Sequence, residues 1–369
     1  VENNTNKYFD ALVIGGGIIG ILTARHLQSK GYKLAVIDKG RLGGESSWAA
    51  GGILAPLKPW QITPEAESLI DEGRQNFEKL VDDLKQETGI DPELVRSGML
   101  VIEDLEQKLD ATHPAITWAE RKDEPVEVLN HKDLCRNEPA ISKNFAQALL
   151  LPNIEQIRPP SLIASVRHSM QIRNIRVFES TPVINIIIEH DKVSGVATRS
   201  GNFYAEKIII CSGAWTKSLL QNMDSVDIEP VRGQMLLYKT PTKLISNIVL
   251  KDKTYVIPRN DGHLLCGSTV ERVGFNNDIT EQANRYLQAS AQSLVPLLKE
   301  HEPVKQWSAL RPGTQRDKPY ICKHPTIDGL FLNSGHYRYG IIMSIASARL
   351  MTDLVTNTSS SSHITGFGY

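Results

Sequence analysis

Gly15-Gly16-Gly17-Ile18-Ile19-Gly20 is the stretch from which the fold is read. It matches G-x-G-x-x-G, and its flanks carry as much weight as its glycines. Residues 9–14 are an apolar run ending at Gly15, the pattern of a buried strand entering a turn. Residues 18–29 place Ile18, Ile19, Leu22 and Leu27 at helical spacing, and Gly31 supplies a stop. Residues 33–37 read as a second strand. Strand, glycine turn, helix and strand together open a doubly wound sheet. Gly15 permits the tight turn, Gly17 lets a pyrophosphate approach the backbone, and Gly20 lets helix and strand pack closely. The free N–H groups and dipole at the helix start attract phosphate. Asp38, at the end of the second strand, offers its carboxylate to ribose hydroxyls. The motif alone does not separate NAD from FAD.

Outward from this unit, residues 43–52 form a long run of small side chains and hydroxyls. A bulky ring lying against backbone needs such a surface, which favours FAD. Residues 64–89 read as an amphipathic helix with Leu69, Ile70, Phe77, Leu80, Val81 and Leu84 on its apolar face. Residues 99–102, 234–238, 254–258 and 263–267 read as strands, and Asn260-Asp261-Gly262 predicts a hairpin between the last two. A helix over 160–171, strands over 176–188, 207–211 and 330–333, and a helix over 340–355 return to the first pattern. The expected fold class is α/β: a Rossmann-like FAD-binding domain plus an α+β substrate domain with a mainly antiparallel sheet. The expected boundaries are 1–90, 139–230 and 305–369 for the cofactor domain, and 91–138 and 231–304 for the substrate domain. The polar lead-in over 1–6 and the Ser/Thr-rich stretch over 356–363 are expected to lie outside the core.

The chain's 369 residues suit two domains, and 41% hydrophobic with 22% charged residues is ordinary for a globular enzyme. A net charge of −1 gives no general attraction to nucleic acid or acidic membranes. No apolar run approaches the roughly 20 residues of a transmembrane helix, and no signal-like segment opens the chain. Cys135, Cys211, Cys266 and Cys322 form no C-x-x-C pair, so no metal site is expected. They read as free thiols, in keeping with a cytoplasmic location.

At this point the sequence resembles the D-amino-acid oxidase-like FAD-dependent oxidoreductases, and within them the glycine oxidases of the thiamine pathway. The resemblance is carried by residues 11–20, Asp38-Lys39, residues 46–54 and Ile208-Ile209-Ile210-Cys211-Ser212-Gly213-Ala214-Trp215. It continues through Val231-Arg232-Gly233-Gln234-Met235-Leu236, Tyr255-Val256-Ile257-Pro258-Arg259 and Leu310-Arg311-Pro312-Gly313-Thr314. Lys318-Pro319-Tyr320-Ile321 and Gly335-His336-Tyr337-Arg338 complete it, in consistent order over nearly the whole chain.

The resemblance implies FAD contacts from Ile18, Ile19, Asp38, Lys39, Ser46, Ser47, Gly51, Gly52 and Ile53, and from the Val183 backbone at the adenine side. It sets His336, Tyr337, Arg338, Tyr339, Gly340, Ile341 and Ile342 along the flavin. Arg338 is the expected carboxylate clamp, since a planar fork makes two parallel charge-assisted bonds. Tyr255 is expected to lend its hydroxyl to the same carboxylate, and Arg311 to lie near substrate and flavin. No protein base is required: a neutral amine losing hydride becomes a protonated imine, which water hydrolyses to an oxo acid. His336 is expected to pack or bond backbone. The implied reaction is oxidative deamination of glycine or another small amine, with oxygen as acceptor and hydrogen peroxide as product, and the imine passing to thiazole synthesis. A homo-oligomer is implied by resemblance alone.

Several positions depart from the family pattern. Tyr339 stands where asparagine is common, Ile53 and Val270 replace methionines near the pocket, Asp38 stands for glutamate and Cys322 for glycine. The neighbourhood of Cys322 does not match that of flavin-linked relatives, so FAD is expected to be non-covalent. Two other readings remain open: a sarcosine, proline or D-amino-acid oxidase or dehydrogenase, and a non-catalytic dinucleotide-binding protein.

Overall fold

The computed structural model describes residues 7–103, 109, 112–220, 223, 226–358 and 366–369. The opening unit folds as its pattern requires. β1 (Ala11–Ile14) leads through the glycine turn into α1 (Ile18–Ser29), and the chain returns as β2 (Leu34–Ile37). β1 pairs in parallel with β2 and with the strand Ile208–Ile210. The six-stranded sheet runs Tyr320–Lys323, Leu330–Ser334, Ile208–Ile210, β1, β2, Arg176–Phe178. Strands this apolar on both faces must be covered on both.

Alternation along β1 shows how. Ala11 and Val13 join the core beneath α1, α2 (Pro64–Thr88) and α3 (Gly340–Thr356). Leu12 and Ile14 face the other way, into a core closed by the three-stranded antiparallel sheet of Val183–Glu189, Lys192–Thr198 and Gly201–Tyr204. α2 begins where Thr63 accepts from the Ala66 N–H at 3.4 Å, with Pro64 in the first turn. It ends at Gly89, whose φ of 72° is the left-handed cap.

One expected strand divides. Residues 176–188 form Arg176–Phe178 in the six-stranded sheet and Val183–Glu189 in the three-stranded one. Ser180, at φ 51°, turns the chain, and Pro182 brings no N–H to a ladder. A continuous apolar run therefore serves two sheets.

The eight-stranded sheet contains β3 (Glu229–Lys239), β4 (Thr254–Pro258), β5 (His263–Gly267) and β6 (Lys305–Gly313). From one edge its order is β6, β3, β5, β4, then Ile248–Lys251, Met99–Ile102, Gln147–Leu151 and Glu127–Asn130. The pair Ile248–Lys251 with Met99–Ile102 is parallel, and the other pairs are antiparallel. β4 and β5 form the expected hairpin, with Gly262 at φ 83° in its turn. Gln147–Leu151 and β6 belong to this sheet although the expected boundaries at 139 and 305 group them with the cofactor domain. A strand's sheet is decided by its partner's edge, and for β6 that partner is β3 along nine residue pairs.

Thr356 ends α3, while residues 359–363 of the expected loose tail, like 1–6, lie outside the described residues. No helix of the described residues is long and apolar enough to cross a membrane.

α2 and α3 meet closely at Gly73, where an added Cβ would overlap the Ile342 carbonyl oxygen. Gly73→Val should force these helices apart and destabilise by about 1–3 kcal/mol. Thermal unfolding of the variant checks this, and an unchanged midpoint would show that the crossing has slack.

Candidate active site

The phosphate end is shaped by backbone packed on backbone. Gly15 holds φ 109°, and a Cβ there would overlap the Cys211 carbonyl. A Cβ on Gly20 would overlap the Gly15 carbonyl. Gly17 is the N-cap of α1 and brings no side chain. Ser47 Oγ accepts from the Ile18 N–H at 3.0 Å, and the start of the helix otherwise opens onto a cleft. Asp38 first holds the turn: Oδ2 accepts from the Gly16 N–H at 2.6 Å and Oδ1 from the Gly40 N–H at 2.7 Å. A carboxylate has about four acceptor sites, so capacity remains for a ribose hydroxyl.

The cleft has two connected chambers that share Gly17, Ser46, Ser47, Cys211 and Gly213. The outer chamber is lined by Gly15, Asp38, Lys39, Val183 and Trp215, among others. Lys39 Nζ lies 3.2 Å over the Trp215 ring and 3.3 Å from Glu45. The inner chamber is lined by Ile18, Ile19, Gly51, Gly52, Ile53, Tyr255, Arg311 and residues 336–342. Gly20 lines neither chamber and acts by packing α1 onto the sheet. Val270, flagged as a pocket departure, is 40% exposed and lines neither. Cys322 is also outside them, buried, with its thiol pushed up to about 12 by that burial.

The inner chamber draws on both large sheets. Arg311, near the end of β6, donates from Nη2 to Ser268 Oγ at 2.7 Å and from Nη1 to the Thr269 carbonyl at 3.1 Å. Its guanidinium fills the space that a Cβ on Gly233 would take. Burial lowers its pKa; Tyr255 opposes this and the Arg338 charge adds to it. Arg338 stands in the loop between Leu330–Ser334 and α3. Gly335 at φ 90° and Tyr337 at φ 47° curl that loop, and the Tyr337 N–H bonds the Pro312 carbonyl at 3.1 Å. The residue carrying one arginine's neighbour is thus tied to the loop carrying the other. Tyr255 projects from β4, with Met235 Sδ at 3.7 Å as a weak hydrogen-bond partner for its hydroxyl.

Arg338 also borders a neighbouring pocket lined by Asp252 and Asp317, while among the described residues no Asp or Glu lines the inner chamber. The start of α3 faces the same space through Gly340, Ile341 and Ile342, and its N-cap Tyr339 makes no side-chain cap. Positive potential therefore comes from two side chains and one helix end. His336 is buried and bonds Ser347 Oγ at 2.8 Å through Nε2, rather than backbone. Burial drives its pKa down to about 3, so it is a neutral pin between loop and helix at ordinary pH.

Sequence reasoning missed Met235, Leu57, Gly233, Ser268 and Asn333 as lining residues. Gly233 and Met235 lie in the Val231–Leu236 run quoted above, two residues apart on one strand face, and that alternation was the available signal. Ser268 had none, because it reaches the chamber only by the turn after β5.

A glycine-lined phosphate cradle, a carboxylate at the second strand and a deep chamber floored by Gly51 and Gly52 together fit a dinucleotide carrying a flat ring. A family model described as FAD dependent oxidoreductase (DAO) matches residues 10–354. The glycine oxidase of Pseudomonas aeruginosa is 37% identical over 347 residues, covering 94% of each chain. The bifunctional protein ThiO/ThiG of Synechocystis sp. is 29% identical over 354 residues, covering 94% of this chain and 51% of that one. The crystal structure of glycine oxidase from Geobacillus kaustophilus superposes with a TM-score of 0.91, at 28% identity and 96% of each chain.

The His336 site has a consequence for acid stability. The unfolded chain takes up a proton near pH 6.5, whereas the folded site refuses it until about pH 3. The unfolded state then binds more protons, so stability falls as pH drops through that window, by up to about 1.4 kcal/mol per pH unit. His336→Gln should flatten the loss of thermal midpoint between pH 6.5 and 4; an unaltered slope would mean the imidazole protonates in the folded state.

Proposed function

The chain belongs to the FAD dependent oxidoreductase (DAO) family, and from that premise we propose that its substrate is glycine, held by Arg338 against the cofactor. It is an FAD-dependent amino acid oxidase. Support for the substrate comes from glycine oxidases over nearly the full chain and from the chemistry of the inner chamber. The observation that carries the proposal is a chamber lined by Arg311, Arg338 and Tyr255 and, among the described residues, by no Asp or Glu. Such a site selects a carboxylate and gives an ammonium side chain no partner.

Bound FAD supplies the hydride acceptor and with it the redox chemistry. The protein's task is to orient and to set the charge balance. The Arg338 fork takes both oxygens of the substrate carboxylate, a geometry that a point charge does not reproduce. The Tyr255 hydroxyl, lightly engaged by sulfur, adds a third bond. Arg311 is held by Ser268 and Thr269, which fixes it as a second cation near the reacting amine. That charge favours the neutral amine over the ammonium ion, so the substrate enters the form that can release hydride. No side chain is assigned as base, and His336 is kept neutral by burial. The helix start at Gly340 favours negative charge in the chamber.

The imine product adds water to give glyoxylate and ammonia, and oxygen is reduced to hydrogen peroxide. By resemblance, the imine also serves thiazole formation in the thiamine pathway. Non-covalent FAD, a cytoplasmic location and a homo-oligomer belong to the same proposal.

Anaerobic mixing with glycine should bleach the yellow protein, with sarcosine, proline and D-alanine as comparison substrates. Faster bleaching by any of these would displace glycine. Arg338→Ala should keep its flavin and lose at least about 100-fold in kcat/KM, as expected for paired charge-assisted bonds. Arg338→Lys should recover little of this. Near-normal turnover in both variants would move the carboxylate site elsewhere.

A further inference from the structure

Tyr255-Val256-Ile257-Pro258-Arg259 ends in an arginine that the chemistry above leaves unused. Arg259 directly follows β4 and is 7% exposed. Its Nη1 donates to Gln156 Oε1 at 2.6 Å and to the Ile157 carbonyl at 3.0 Å, and its Nη2 donates to the Gly51 carbonyl at 2.7 Å. All three acceptors are neutral. The nearby carboxylates Glu93 and Asp261 are engaged by Arg158, at 3.1 and 2.9 Å. Burial pulls the Arg259 pKa down to about 10; Arg158 adds to that, while Glu93, Asp261 and Tyr255 oppose it. A buried guanidinium with neutral acceptors is unfavourable unless its surroundings make use of the charge.

One of those acceptors, Gly51, lines the inner chamber beside Gly52. A Cβ on Gly51 would meet the Tyr255 hydroxyl and Ile257 Cδ1 at 3.1 Å each, and one on Gly52 would overlap the Ile157 carbonyl. β4 and its continuation therefore meet Gly51 three times, through Tyr255, Ile257 and Arg259. With the Gly51 carbonyl turned toward Arg259, a trans peptide directs the Gly52 N–H the opposite way. The charge lies one hydrogen bond behind a chamber-lining peptide.

We propose that Arg259 is a positioning residue for the cofactor: it fixes the Gly51–Gly52 peptide and places a buried positive charge behind it, which favours negative charge on the flavin ring. The proposal rests on the FAD reading above. In a low-dielectric interior such a charge acts over more than contact distance, and a fixed charge needs no reorganisation as the ring gains electrons. The same side chain sets the register between the strand bearing Tyr255 and the floor of the chamber, so ring position and substrate position are adjusted together.

The test uses purified holoenzyme and two readouts that a purely structural residue would not move. One is the flavin reduction potential, measured by dye equilibration. The other is affinity for sulfite, an anion that adds to oxidised flavin and reports on local positive charge. Arg259→Met should retain FAD, lower the potential and weaken sulfite binding at least about tenfold. Arg259→Lys should restore most of both, since it keeps the charge with fewer directed donors. Gln156→Glu keeps an acceptor opposite Nη1 but makes it anionic, and should shift both readouts the same way as Arg259→Met. Wild-type values in Arg259→Met, or equal losses in the Met and Lys variants, overturn the proposal. If Arg259→Met loses FAD, Gln156→Glu decides: unchanged potential and sulfite affinity there overturn it. A colourless wild-type protein defeats the FAD reading itself, whereas a yellow one whose sulfite affinity ignores these charges defeats this proposal alone.

Discussion

Backbone lies against backbone at Gly15, where β1, the start of α1 and the residue after the Ile208–Ile210 strand converge. A Cβ at Gly15 meets the Cys211 carbonyl, and one at Gly20 meets the Gly15 carbonyl. Only this close stacking brings the start of α1 to the mouth of the cleft, where its N–H groups and dipole can hold phosphate. Asp38 completes the arrangement by tying the Gly16 and Gly40 N–H groups to one carboxylate. Its shorter side chain, compared with glutamate, suits this local task. The position of everything farther along the cleft follows from where the phosphate end is anchored.

At the other end the controlling quantity is charge. Arg311 and Arg338 share a chamber that no Asp or Glu lines among the described residues. Two cations facing one space repel, and burial raises the energy of the Arg311 charge further. The arrangement is held by hydrogen bonds made elsewhere. Ser268 and Thr269 grip Arg311 from the turn after β5. That turn is secured in its own right by Glu271, which accepts from Arg232, Gln234 and Thr269. Burial works against ionisation of Glu271, yet these bonds prevail and its pKa is lowered. A substrate carboxylate relieves the repulsion that the fold maintains, which is a preorganised form of recognition.

The two sheets divide the work by rigidity. The six-stranded sheet and its helices fix the dinucleotide site through β1, β2 and Ile208–Ile210, which are buried along their whole length. The eight-stranded sheet supplies Tyr255 and Arg311 on strands β4 and β6, whose registers are set by long antiparallel ladders. Arg338 comes from the joint between them, on a loop pinned by Pro312 and by the His336–Ser347 bond. Side chains placed by ladders and pins keep their separations more closely than side chains on free loops.

The amino-acid sequence by itself determined what is local. The bounds of α1, the span of α2, the β4–β5 hairpin and the glycine cradle were legible because periodicity and turn chemistry act within a few residues. The identities of Arg338, Tyr255 and Arg311 as candidates came from the family resemblance. Tertiary structure alone decided which distant pieces share a wall. It divided the 176–188 run between two sheets, assigned β6 to the eight-stranded one, left Gly20 and Val270 out of the cleft and set Ser268 into it. Arg259 shows the reason most clearly. Its bond to Gly51 spans 208 residues, and nothing in the short-range pattern of either segment encodes a partner at that distance. Such a contact exists only once the segment around Gly51 has packed against the end of β4.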